Sequence, residues 1–210
     1  MLEILPLLLK VALSVFIYMT LFYSLSLITK RSDIVDIGWG LGFILVALVS
    51  LLSQSYLTDR VILVFFLVLF WGLRLASHIY FRNKGKEEDY RYQQFKKDWG
   101  DTFYIRSYFQ IFLLQGFFML IVSLPIIFIA KFSDSPLGYT DIIGLSIWIL
   151  GFLLESNADS QLKRFITKKR KEKQKPDLLI LVFGNTPDIP TTLERYYNGG
   201  VLGLLPFLYH

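Results

Sequence analysis

"VILVFFLVLFWGLRLASHIYF", residues 61–81, decides the class of this chain. It is an apolar run interrupted only near its end, by Arg74, Ser77 and His78. The hydrocarbon core of a bilayer, ~30 Å thick, needs about 20 mostly apolar residues in a helix, and this run has that length. Working outward, four more windows approach it: roughly Leu5–Ile28, Ile37–Leu57, Tyr108–Phe132 and Ile142–Leu154. The last is the shortest and is completed by the helical turns that follow it. With 210 residues, 54% hydrophobic and 17% aromatic, there is material for one domain. The expected fold is all-α, a polytopic integral membrane helical bundle with five transmembrane helices, one per window.

The first window starts near Met1, but it is too long for a signal peptide and has no small-residue cleavage pattern behind it, so it reads as a span. Cysteine is absent, which excludes disulfides and thiolate metal sites, and His78 and His210 do not make a metal site. Lys and Arg are unevenly shared among the connections. The one after the first span holds Lys30 and Arg31, the one after the third holds Arg82, Lys84, Lys86, Arg91, Lys96, Lys97 and Arg106, and the one after the fifth runs from Lys163 to Lys175. The other two offer little beyond Arg60 and Lys131. The positive-inside rule then makes the odd connections cytoplasmic and puts the N-terminus outside. Net charge +5 reports topology, not affinity for nucleic acid.

Three polar stretches flank the membrane. In "KRSDIVDIGWGLGF", Asp33 and Asp36 share a helical face with Trp39 one turn on. They read first as a solvated cap before an interfacial anchor, although acids inside a span usually mark a site. Gly38, Gly40 and Gly42 lack the preceding strand of a dinucleotide fingerprint and instead permit close helix packing. In "WGLRLASHIYFRNKGKEEDYRYQQFKKDWG", Arg74, His78 and Arg82 form a basic stripe, either snorkelling or walling a phosphate-bearing ligand, and "EEDYRY" reads equally well as a solvated helix. In "ESNADSQLKRF", Glu155, Asp159 and Lys163 line one face at successive i+4 steps, which favours a functional role over a merely solvated one. The run "KKRKEKQK" beyond it is a positive-inside anchor that can touch anionic lipid.

Together "DIVDIGWGLGF", "WGLRLASHIYFRNKGKEEDYRY" and "ADSQLKRF" resemble, in the same order, the membrane proteins with a steroid 5-alpha-reductase C-terminal-like domain, in their largely bacterial branch. The similarity covers roughly residues 30–175. The family continues with a hallmark resembling Gly-Leu-Trp-x-Tyr-Ser-Arg-His-Pro-Asn-Tyr-Phe-Gly-Glu, then Trp-Trp-Gly. Here "GNTPDIPTTLERYYNGG", residues 184–200, stands in that place.

The genetic code connects the two. In a shifted frame, each codon takes the third base of one residue and the first two bases of the next. Phe183 ending in T, followed by Gly184, reads Trp; Asn185 permits Lys, Thr186 Tyr, Pro187 Ser, Asp188 Arg and Ile189 His. Pro190, Thr191 and Thr192 permit Pro, Asn and Tyr; Leu193 as TTG, with Glu194 and Arg195, yields Phe-Gly-Glu; Gly199, Gly200 and Val201 permit Trp-Trp-Gly. Every step fits the hallmark. The chain is therefore expected to divide into a membrane domain at 1–175 and an aberrant, out-of-frame tail at 176–210, with the frame changing near Asp177 to Leu181.

The resemblance implies an NADPH-dependent reductase of a carbon–carbon double bond in a lipid or steroid-like substrate, inactive in this truncated form. It places Glu155, Asp159, Lys163 and Arg164 toward the cofactor, with Glu155 departing from the commoner Asn, and Asp33, Asp36 and Arg74 toward the lipophilic substrate or the nicotinamide. No residue is assigned a catalytic role. It also implies a bacterial inner membrane, with membrane lipid as partner. Two other readings stand beside it: an S-adenosylmethionine-dependent membrane methyltransferase of the isoprenylcysteine carboxyl methyltransferase kind, whose members share the Arg-His-Pro motif, and a non-enzymatic truncated membrane protein.

Overall fold

The computed structural model describes residues 3–173, and every regular element among them is helical. Helix α1 (Leu5–Thr29) opens with Pro6, whose missing N–H is harmless in a first turn. It ends where Lys30 turns left-handed (φ 56°), its N–H and that of Arg31 both closing on Ser26 O. After this tight turn α2 (Ile34–Leu52) begins, three residues earlier than its apolar window, so Asp36 lies in its first turn. Acids are favoured there by the helix dipole. Thr58 caps α3 (Asp59–Asn83), its Oγ1 accepting from Val61 N at 3.4 Å.

A short polar helix, α4 (Tyr90–Trp99), follows, capped by Asp89. The turn Gly100–Thr102 and α5 (Phe103–Arg106) lead through a π-helical stretch, Ser107–Leu113, into α6 (Leu114–Phe132). The described residues form two compact units that part between Leu137 and Gly138, and the second contains α7 (Tyr139–Lys173). Among the described residues five helical runs are long and apolar enough to cross a membrane, which makes the protein a polytopic helical bundle. The fifth window is indeed completed by the turns behind it: α7 continues for 35 residues as one helix, through the start of the basic run. The tail at 176–210 lies outside the described residues.

Within the first unit α2 is the centre, packing against α1, α3 and α6. Val11, Val15 and Met19 of α1, Val35 and Val46 of α2, Phe112 of the π-helical stretch, and Met119 and Ile127 of α6 are almost wholly enclosed. Large apolar side chains such as Leu9, Leu21, Phe66 and Phe70 point outward instead, as a lipid solvent allows. Close approach of α2 to α3 depends on two glycines. A Cβ on Gly40 would run into the carbonyl oxygen of Gly72, and a Cβ on Gly72 would lie 2.5 Å from Gly40 O. The glycine-rich start of α2 thus serves helix packing, as its lack of a preceding strand implied.

Candidate functional site

At the end of the bundle where α2 begins, the sequence supplies two acids; the turn before α2 holds one and α4 the other. Arg31 grips Asp33 with both prongs, Nε to Oδ1 at 3.0 Å and Nη2 to Oδ2 at 2.7 Å, while its Nη1 donates to Lys86 O at 2.8 Å. Hydrogen bonding to Asp33 pushes the Arg31 guanidinium up from its ordinary value, so it stays charged at any usable pH. Asp36 accepts from Arg91 Nη2 on one oxygen (3.2 Å) and from the Tyr92 hydroxyl on the other (2.9 Å). Arg91 also holds its own cap, Asp89, through Nε at 3.1 Å and Nη2 at 3.2 Å. Both acids are buried, at 2% and 4% exposure.

Glu88 extends the network. One of its oxygens accepts from Ser32 N and the other from Lys96, whose ammonium also donates to Lys30 O at 3.0 Å. Beneath this layer Trp39 donates its indole N–H to Gln115 of α6, a buried amide. Burying carboxylates is costly unless they are paired and fully hydrogen-bonded, and here each is. The solvated-cap reading of Asp33 and Asp36 is thereby corrected: the turn after α1 folds them inward, and α4 lies over them. The solvated-helix reading of "EEDYRY" is corrected likewise, because Tyr92 is only 3% exposed. Arg91, Tyr92, Asp89, Glu88 and Gln115 are the members of the site that spacing along the chain could not assign.

The other expected site residues lie elsewhere. Arg74 sits half-buried on α3, one helical step from His78 and two from Arg82. Glu155, Asp159 and Arg164 belong to α7, where the two acids are half-buried and Arg164 exposed, and the side chain of Lys163 lies outside the described residues. Among the described residues no cluster of His, Cys, Asp or Glu could hold a metal ion.

The chain matches, over residues 22–180, the family described as a protein of unknown function, DUF1295. It belongs to that family. No curated protein and no solved structure matches it. The DUF1295 match takes in both acids of α2, all of α4 and the acid pair of α7.

Four carboxylates at the α2 end are already satisfied by protein donors. A cavity between α2, α3 and α6, lined by Ser50, Phe65 and Ile126 among others, measures about 10 Å³, room for one water.

Proposed function

We propose that this chain is the membrane scaffold of an NADPH-dependent reductase of a carbon–carbon double bond in a lipid or steroid-like substrate, and that its cofactor motif resides in the alternative reading frame. The observation that carries this reading is the codon fit from Gly184 through Val201, where each step permits the residue of the reductase-like hallmark. The family match ends at residue 180, inside the Asp177–Leu181 window inferred for the frame change. When bound, NADPH would supply hydride to the β-carbon of an enone while an acid polarises the carbonyl.

On this reading Glu155, Asp159, Lys163 and Arg164 serve the cofactor side, and Asp33, Asp36 and Arg74 the substrate side. Asp33 and Asp36 would act there through the helix they hold, since their oxygens are engaged by Arg31 and Arg91. The basic connections face the cytoplasm, the N-terminus lies outside, and the membrane is a bacterial inner membrane. The 210-residue polypeptide itself is then an integral membrane protein without the activity.

The test is titration of purified, frame-restored protein with NADPH and with S-adenosylmethionine. NADPH binding that weakens in Asp159→Ala, with expression unchanged, is the expected result. Binding of S-adenosylmethionine instead moves the assignment to the methyltransferase class. Binding of neither removes the enzyme assignment, and a gene in which Phe183 does not end in T removes the frame change.

A further inference from the structure

Helix α4 differs from the spans in how it is attached. Of its ten residues only Tyr92 is buried, and its backbone packs mainly against the turn and short helix that follow it. It reaches α2 and the turn before it through long side chains: Arg91 and Tyr92 to Asp36, and Lys96 to the backbone of Lys30. Glu88, just ahead of it, reaches the backbone of Ser32. Phe95 and Trp99 stack on each other, centroids 4.8 Å apart, and pack only partly buried against the core. On either side of the helix stands a glycine in the left-handed region, Gly85 at φ 73° and Gly100 at φ 47°. A Cβ at either would meet nothing within 4 Å, so the space on that side of each backbone is open.

Two glycines flanking a short helix are the parts of a hinge, and side-chain ties that carry most of its attachment to α2 are the parts of a latch. We propose that α4, with the segment from Gly85 to Gly100, is a hinged strap latched over the start of α2 by Asp36–Arg91–Tyr92 and Glu88–Lys96, and that it opens as a unit while the spans stay packed. Opening uncovers Asp36, and behind it the Trp39–Gln115 pair, to the aqueous side. Without its cations, a carboxylate seat at the head of α2 would take a polar, cationic or hydrogen-bond-donating group. The strap rests on the attachment of α4 and does not depend on the reductase reading.

Hydrogen exchange read by mass spectrometry on the full chain in lipid nanodiscs tests this. Amides of 90–99 should exchange through an opening that leaves α2 and α6 protected. Asp36→Asn, which keeps an acceptor for Tyr92 but removes the charge paired with Arg91, should speed exchange of 90–99 about tenfold or more, and by clearly more than it speeds α2 and α6. Should Asp36→Asn fail to fold, Lys96→Gln, which touches only the outer part of the latch, should speed the same segment by a smaller factor. Exchange of 90–99 in step with α2 and α6, in parent and variants alike, would overturn the strap, as would variants that leave the 90–99 rate unchanged.

Discussion

The two ends of α2 are tied by contacts of the same length and different consequence. At its start, Arg31 meets Asp33 at 2.7 Å, and the Asp33 side chain is 3% exposed. Beyond its far end the Tyr56 hydroxyl donates to Asp134 at the same 2.7 Å, but Tyr56 is 63% exposed. Arg60 adds a part-buried tie there to Ser133, and ties at the surface to Ser135 and Pro136. Distance alone does not rank these contacts. A buried carboxylate that loses its partner has no water to turn to, whereas an exposed one rehydrates. With α4 closed over it, the start of α2 is a buried junction, and the far end is a surface tether.

The bluntest test of this contrast asks which end faces which compartment. A reporter fused after Lys97 should be cytoplasmic and one near Thr58 external, an all-or-none difference; the opposite labelling would falsify the orientation.

Next in size is Asp36→Ala. It takes away one of the two carboxylates that hold Arg91 and the acceptor of the buried Tyr92 hydroxyl, and should destabilise the bundle by about 3 kcal/mol, measured by unfolding in mixed micelles. A loss no larger than that of a surface variant would make both ends equal.

Gly72→Ala sharpens the comparison by striking between the ends. Its Cβ meets backbone, which cannot swing aside, so α2 and α3 must separate at a cost of about 1–3 kcal/mol in the same assay. Stability equal to the parent would show that the crossing has slack.

The smallest effect is expected from Tyr56→Phe, which should be indistinguishable from the parent near neutral pH. Its hydrogen bond to Asp134 pushes the Tyr56 phenol up from its ordinary value. A raised acid contributes stability below its unfolded value and loses it as pH rises through the folded one, so whatever Tyr56 gives should fade only in strong alkali. A pH dependence near neutrality that disappears in Tyr56→Phe would contradict this sign. Arg31 is raised as well, but its loss would fall at still more alkaline pH, so the start of α2 should show no alkaline weakening from it.

How legible each feature was follows from how local its cause is. The spans could be read window by window, apart from their ends: α2 starts at Ile34, not at the first uninterrupted apolar residue, because its early acid is neutralised from outside the window. The glycines of α2 were legible as packing residues, yet nothing near Gly40 in the chain names Gly72 as the surface it meets. Asp33 and Asp36 stood out as acids beside a span, and their burial did not. Arg91 looked like one more cation in a basic connection, and Tyr92 like one of two tyrosines in a solvated helix.

By itself the sequence determined that this is a helical membrane protein, with five spans among the described residues, because the thickness of a bilayer acts on each stretch of about 20 residues independently of the rest. It also places the chain in the DUF1295 family, whose match runs over residues 22–180. Only the tertiary structure decided that Asp36 is the partner of Arg91, 55 positions away, and that α4 lies across the head of α2. A charge pair of that separation depends on where the chain returns after crossing the membrane and turning at Gly85, and no local periodicity encodes that return.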